Sequence, residues 1–268
     1  MNQHWHWQTW QDCSYLTCEL LSPWQHGFFT QGFFPRTPED LTSILQPETV
    51  AYRVKQVHGN SVLTPEEIAE KLAQADYTNN LAEADAVISD RPQQSVWAAS
   101  ADCTPVLIGD LVTGKVCAIH AGWRGTAQKI VPQAIARFLN FGSQLEDLRV
   151  AIGPAISGKM YQVDESVALK VVQTIVSADL EPEVILTKLK QLPQAPIFDD
   201  ELSGKVRLDV PRVNQIQLEQ LGLNSVQIAI APYCTFKDSD REASRRHRFF
   251  SYRRTGEKKV QWSGIVSK

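Results

Sequence analysis

The chain has 268 residues, 43% of them hydrophobic and 21% charged, enough apolar material for a substantial core and far from the low-hydropathy, high-charge composition of disordered chains. Its 27 Lys and Arg against 30 Asp and Glu leave a net charge of -3, so no global basic field draws it onto phosphate backbones, and nucleic acid is not the expected partner. Five cysteines, an odd number spread from Cys13 to Cys234, argue against a disulfide framework and for a reducing, cytoplasmic setting.

In chain order, Met1 to Trp10 pairs three Trp with two His but lacks a basic region followed by an apolar stretch, so it does not read as a signal peptide. Its alternation predicts an amphipathic strand, rather than a metal pair at His4 and His6. No run reaches membrane-spanning length. Strands are predicted at Tyr52–Val57, Ala86–Ser89, Val96–Ala99, Val106–Gly109, Lys115–His120, Leu148–Ile152 and Ser225–Ala231, each rich in Val, Ile and Ala and bounded by Gly, Pro or Asp. Helical periodicity falls at Pro65–Ala75, Thr126–Phe141, Asp164–Ala178 and Val210–Leu221. The prolines from Pro182 to Pro196, with Pro211 just beyond, make Ser177 to Leu208 read as loop-rich, without a domain break. The Arg-rich tract Arg245 to Arg254 reads as a strand with an Arg face. Mixed α and β elements without an internal repeat predict one unit over residues 1–268.

Three segments carry the chemistry: Lys55-Gln56-Val57-His58-Gly59, Ala101-Asp102-Cys103-Thr104-Pro105 and Ile119-His120-Ala121-Gly122-Trp123-Arg124-Gly125. Each is expected to put a possible ligand at a strand end, where Gly or Pro stops the ladder and a side chain can face a cleft. One thiolate and two imidazoles suit zinc, and three protein ligands leave a fourth position open. The separations of 45 and 17 positions match no compact structural zinc site. Taken by themselves, the residues read first as a buried Cys103 and His120 with His58 in a loop, ahead of a metal site.

These segments, with His26-Gly27-Phe28-Phe29-Thr30, Ala84-Asp85-Ala86, Ile152-Gly153-Pro154 and Phe250-Ser251-Tyr252-Arg253-Arg254, resemble the YfiH family, also called laccase-domain or multicopper polyphenol oxidase-like proteins and associated with zinc-dependent purine nucleoside phosphorylases. The likeness spans nearly the whole chain. One departure follows Pro154, where Ile156-Ser157-Gly158-Lys159-Met160 stands before Tyr161 in place of the family's paired Cys.

The resemblance implies an α+β fold, layered as an α/β/β/α sandwich with mixed sheets, and one zinc per chain on His58, Cys103 and His120. It further implies phosphorolysis of purine nucleosides (adenosine, inosine, guanosine, methylthioadenosine) to base and ribose 1-phosphate, with adenosine deamination as a possible second activity. Cys103, His120 and Asp102 are the catalytic candidates. Asp102 would shuttle a proton or orient a ligand imidazole, unless strand alternation turns it away into a structural role. Arg124 is the candidate phosphate ligand, helped by a helix expected to start at Thr126, the alternative being a surface salt bridge. The implied partners are purine nucleosides and inorganic phosphate, with no membrane; a monomer is compatible with the sequence.

Three other functions compete. A copper oxidoreductase shares the His2Cys donor set, but six His in total cannot ligate the several centres of a multicopper oxidase, so copper is the weaker expectation. A metal-independent hydrolase would use Cys103 as nucleophile with His120 as base. An RNA-binding module would use the Arg tract.

Overall fold

The structure, a computed structural model, describes residues 4–74, 81–176, 180–238 and 247–268. The N-terminal half runs β1 (Trp5–Trp10), β2 (Cys13–Cys18), β3 (His26–Phe29), α1 (Pro38–Leu45), β4 (Val50–Tyr52), β5 (Val62–Leu63), α2 (Pro65–Gln74), β6 (Ala86–Ile88), β7 (Gln94–Ser100), β8 (Thr104–Asp110), β9 (Val116–Ala121), α3 (Trp123–Ala127) and α4 (Ile130–Asn140). It continues β10 (Leu148–Ile152), β11 (Gln162–Asp164), α5 (Glu165–Val172), α6 (Pro182–Lys190), β12 (Ile197–Asp199), β13 (Lys205–Leu208), α7 (Val210–Gln220), β14 (Ile228–Ile230), α8 (Tyr252–Thr255) and β15 (Gln261–Val266).

Two six-stranded mixed sheets, β1-β2-β3-β15-β7-β4 and β14-β10-β8-β9-β6-β5, make the body, beside a small antiparallel sheet β11-β13-β12. Period-2 alternation sends Leu16, Phe28, Val96, Ala98 and Ile265 from the first sheet against Leu107, Val116, Ala118 and Ala151 from the second. The opposite face of the second sheet, with Val106, Ile108, Cys117 and Ile119, is covered by Ile130, Ile135 and Phe138 of α4 and Leu218 of α7. On the first sheet's outer face Phe29, Trp97 and Val266 meet Leu41 and Leu45 of α1. Helix, sheet, sheet and helix therefore stack in the order the family likeness implied. Because β8 and β9 are covered on both faces they read as apolar runs in sequence, with every residue buried.

Local expectations are corrected in four places. The helix expected over Thr126–Phe141 is two helices, α3 and α4, parted at Lys129 in the left-handed region (φ 58°). The stretch read as loop-rich contains α6, β12 and β13, because Pro182 is the first residue of a helix, where its missing N–H costs nothing. Only Tyr52 of the strand expected over Tyr52–Val57 is in β4; Lys55 makes an isolated bridge to Glu83. Within the Arg-rich tract, Tyr252 to Thr255 form a short helix capped by Ser251, which accepts from the Arg254 N–H at 3.3 Å. Arg245 and Arg246 lie outside the described residues, as do Ala75 and Ala178, the ends of two expected helices.

Candidate metal centre

The centre forms where the chain passes from one sheet to the other. Strand β7 belongs to the first sheet and β8 to the second, so Ala101-Asp102-Cys103 is a link between layers. Asp102 takes φ 87° to make it. His120 is the penultimate residue of β9 and shares the parity of Val116 and Ala118, whose side chains face the space between the sheets. His58 lies in a loop at φ 61°, not at a strand end as the sequence suggested.

One donor atom from each of His58, Cys103 and His120 lies within 4.8 Å of the others. The two imidazoles stand nearly perpendicular, 84° apart with centroids 4.8 Å distant. His120 is buried, Cys103 half-buried and His58 exposed, so the cluster opens on one side. Its glycines are steric requirements. A Cβ on Gly122 would sit 2.9 Å from Cys103 Sγ, and one on Gly125 2.9 Å from the Gly59 carbonyl.

Asp85 organises both histidines. Its Oδ1 accepts from His120 Nδ1 at 2.9 Å and from the His58 N–H at 2.9 Å. Its Oδ2 accepts from the Gly59 N–H at 2.7 Å. The carboxylate thereby assigns the His120 proton to Nδ1, leaves Nε2 for the centre, and holds the His58 loop in its left-handed turn. Burial alone would raise the Asp85 carboxyl, but the hydrogen bonds from His120 and Gly59 and the His120 charge outweigh it and hold Asp85 below the usual carboxylate range. For Cys103 burial is likewise outweighed, here by hydrogen bonds and charge from His120 and His58, and the thiol is held down at about 6. Burial would lower His120, yet hydrogen bonds to Asp85 and Cys103 and their charges raise it to about 9.

Asp102 is not the residue that orients an imidazole. Thr235 Oγ1 donates to its Oδ1 at 2.6 Å, and Ser251 Oγ and the Arg253 N–H donate to its Oδ2 at 3.0 and 2.7 Å. These bonds tie the C-terminal segment to the turn that carries Cys103, while Asp102 also lines the pocket beside the thiolate. Arg124 is exposed, with its guanidinium 4.3 Å from the Trp123 ring centroid. The helix expected at Thr126 begins at Trp123 and lasts five residues, and the Thr126 N–H is already bonded to the Gly122 carbonyl at 2.9 Å, so the helix start belongs to Trp123, Arg124 and Gly125 and not to Thr126. A pocket in front of the thiolate is lined by Asp102, Cys103, Thr104, Gly122, Trp123, Ile156, Tyr161 and Val210. Sequence reasoning quoted Asp85 and Tyr161 only as motif letters and assigned neither a role; a ligand histidine usually gives its second N–H to a carboxylate, backbone carbonyl or water, and Asp85, 35 positions from His120, had no local signal.

The other histidines are placed elsewhere. Both ring nitrogens of His26 are engaged by backbone, with the Cys18 N–H at 2.8 Å and the Trp24 carbonyl at 2.9 Å. His4 lies 3.6 Å from Glu19, and His247 Nδ1 bonds the Asp238 carbonyl at 3.1 Å. Among the described residues, His58, Cys103 and His120 form the one cluster with metal-ligand character. A donor set of one thiolate and two imidazoles, with a carboxylate behind one of them, fits a tetrahedral metal with one open position.

Residues 39–267 match the model of the family described as multi-copper polyphenol oxidoreductase laccase. The chain belongs to that family. It is 51% identical over 265 residues to a Synechocystis sp. protein named purine nucleoside phosphorylase, covering 98% of this chain and 97% of that one. A Bacteroides thetaiotaomicron protein of the same name is 34% identical over 184 residues, 68% of this chain and 60% of its own. Among solved structures, YlmD from Geobacillus stearothermophilus superposes with a TM-score of 0.75 at 24% identity, covering 98% of both chains. The Bacillus licheniformis hypothetical protein YfiH gives 0.73 at 24% identity, covering 98% of this chain and 99% of that one; at such identity these two speak for the fold. No helix of the described residues is long and apolar enough to cross a membrane.

Proposed function

We propose that this chain is a zinc-dependent purine nucleoside phosphorylase, converting adenosine, inosine, guanosine or methylthioadenosine with phosphate into free base and ribose 1-phosphate. Deamination of adenosine is the accompanying activity at the same centre, and the cytoplasm the place of action. The observation that carries the reading is the convergence of His58, Cys103 and His120 on one point, backed by Asp85, in a chain so similar to a named phosphorylase.

Zinc held by these three residues would supply Lewis acidity and positive charge. In phosphorolysis the bond from ribose C1′ to purine nitrogen breaks as C1′ gains a bond to a phosphate oxygen, and the electron pair and a proton pass to the purine. The chain's share of that work is positioning and electrostatics. Asp85 fixes the His120 ring and the His58 loop, so the donor set is rigid before substrate arrives. Trp123 and Tyr161 give the pocket apolar walls suited to a planar base. Arg124 is the cation assigned to phosphate.

Elemental analysis of the purified protein, with an assay for adenine and hypoxanthine released from adenosine and inosine, tests this reading. About one zinc per chain and base release that requires phosphate are expected, and His120→Ala should lose both. Full activity in metal-stripped protein, or in a His120→Ala variant, would overturn it.

One observation favours a second reading. Asp85, His120 and Cys103 are in line as carboxylate, imidazole and low-pKa thiol, the arrangement of a Cys–His hydrolase. His58 supports the metal reading over it, since a nucleophilic pair has no use for a second imidazole beside the same sulfur. Activity that survives chelation but not thiol alkylation would reverse that choice.

A further inference from the structure

The pocket in front of Cys103 has two aromatic walls, Trp123 and Tyr161, and each carries a guanidinium. Arg124 lies 4.3 Å from the Trp123 ring centroid and Arg253 lies 5.0 Å from that of Tyr161. The two arginines come from opposite ends of the sequence, one in the turn after β9 and the other in α8.

Neither guanidinium has a carboxylate within ion-pair distance among the described residues. Arg253 spends one N–H on the Gln162 carbonyl at 3.0 Å. Several other arginines are neutralised, Arg137 by Glu67 at 2.8 Å, Arg207 by Asp200 at 2.9 Å, Arg212 by Glu219 at 3.4 Å and Arg248 by Asp238 at 3.2 Å; Arg254 instead donates to backbone carbonyls, and Arg36 lies over Trp10, away from this pocket. A guanidinium laid on an aromatic face keeps its in-plane N–H fork for an anion, and a fork matches phosphate oxygens two at a time.

The backbone of Arg253 is held firmly. Its N–H donates to Asp102 Oδ2 at 2.7 Å, and Asp102 adjoins Cys103, so the turn that delivers the thiolate also anchors this cation. Burial and the Cys103 charge push the Tyr161 hydroxyl up to about 12 while Arg253 and Arg124 pull it down. Tyr161 thus lies within electrostatic reach of both guanidinium groups, of the sulfur and of the Asp102 carboxylate.

We infer that Arg253 and Arg124 form a two-guanidinium clamp for inorganic phosphate at the mouth of the Cys103 pocket, with Arg253 as the phosphate-binding residue supplied by the C-terminal segment. The assignment of the anion as co-substrate rests on the phosphorylase reading above.

Arg253→Ala and Arg253→Lys test it. In steady-state kinetics KM for phosphate should rise about tenfold or more in Arg253→Ala, as expected for loss of a charge-assisted pair. The nucleoside KM and zinc content should stay within twofold. Arg253→Lys should fall between, because an ammonium keeps charge but not the fork. Arg124→Ala, changed at an equally exposed position, should repeat the pattern. An unchanged phosphate KM, or a parallel rise for both substrates, would overturn the clamp.

A second readout needs no turnover. Inorganic phosphate should raise the Tm of the wild type by mass action, and Arg253→Ala should lose that rise. A rise lost in the variant, in a protein that shows no phosphorolysis, supports the clamp while defeating the phosphorylase reading. An equal rise in both proteins, or none in the wild type, defeats the clamp and leaves that reading standing.

Discussion

Cys103 and His120 share one electrostatic environment, and its consequence is measurable in metal-free protein. With His58 and His120 donating to it, the Cys103 sulfur titrates at about 6, whereas burial pushes Cys18 up to about 11 and raises Cys117 further still. A thiol held low is protonated below that value and a reactive thiolate above it. After chelation, alkylation of the wild type should therefore contain a phase, absent from Cys103→Ser, whose rate climbs through a midpoint near pH 6 and then levels. Restoring zinc should suppress it. A midpoint near the free-cysteine value of about 8.5 would show that the imidazoles do not engage the sulfur. At this scale the ligand types were legible, since thiol and imidazole chemistry belongs to the residue itself. Asp85 was not, because a carboxylate's role depends on what it faces, and His120 meets it only through the β6–β9 pairing.

Short links, more than the regular elements, shape the site. The Ala101-Asp102-Cys103 link carries the sulfur between layers, and the turn after β9 must pass beneath it. Only a residue without a side chain passes there, with Gly122 at 2.9 Å from Sγ once a Cβ is added. Gly122→Ala should weaken zinc binding at least tenfold and lower stability by about 1–3 kcal/mol, the usual cost of overpacking; zinc titration and thermal unfolding measure the two. Zinc affinity equal to wild type would show that the turn has room to move. Elements with strong periodicity or continuous apolar runs, such as α2, α7, β8 and β9, could be read locally. The break at Lys129 carried one signal that the helical pattern overrode, Pro132, which sits in the first turn of α4 where its missing N–H is tolerated. Tertiary contacts hold α3 in place, with Asn214 Nδ2 donating to Thr126 Oγ1 at 3.1 Å and Gln217 donating to the Thr126 carbonyl at 3.0 Å, tying α3 to α7. The helix α6 was hidden for the same reason, since proline serves helix starts as well as loops.

For the whole molecule the C-terminal strand is decisive. β15 is the fourth strand of the first sheet, paired to β3 on one side and β7 on the other, and Ile265 is fully buried between the sheets. Ile265→Ala should cost about 2–5 kcal/mol, read from the midpoint of urea unfolding. A loss below about 1 kcal/mol would mean that the sheets do not share a tightly packed interior. The same strand closes the sheet that supports β7, from which the Cys103 turn departs, so core stability and metal affinity are expected to fall together in that variant.

Composition, apolar patterning and the motif letters determined the class of fold, the sheet-forming segments and the residue types able to hold a metal, because propensity and ligand chemistry are properties of near neighbours. Tertiary structure alone decided that His58, 45 positions from Cys103, joins it beside His120. It also made Asp85 the carboxylate behind the histidines, turned Asp102 into an anchor, and brought Arg253 across from the chain's far end. Those outcomes depend on strand order and on hydrogen bonds between distant segments, whose partners are chosen only when the two sheets close over a common core.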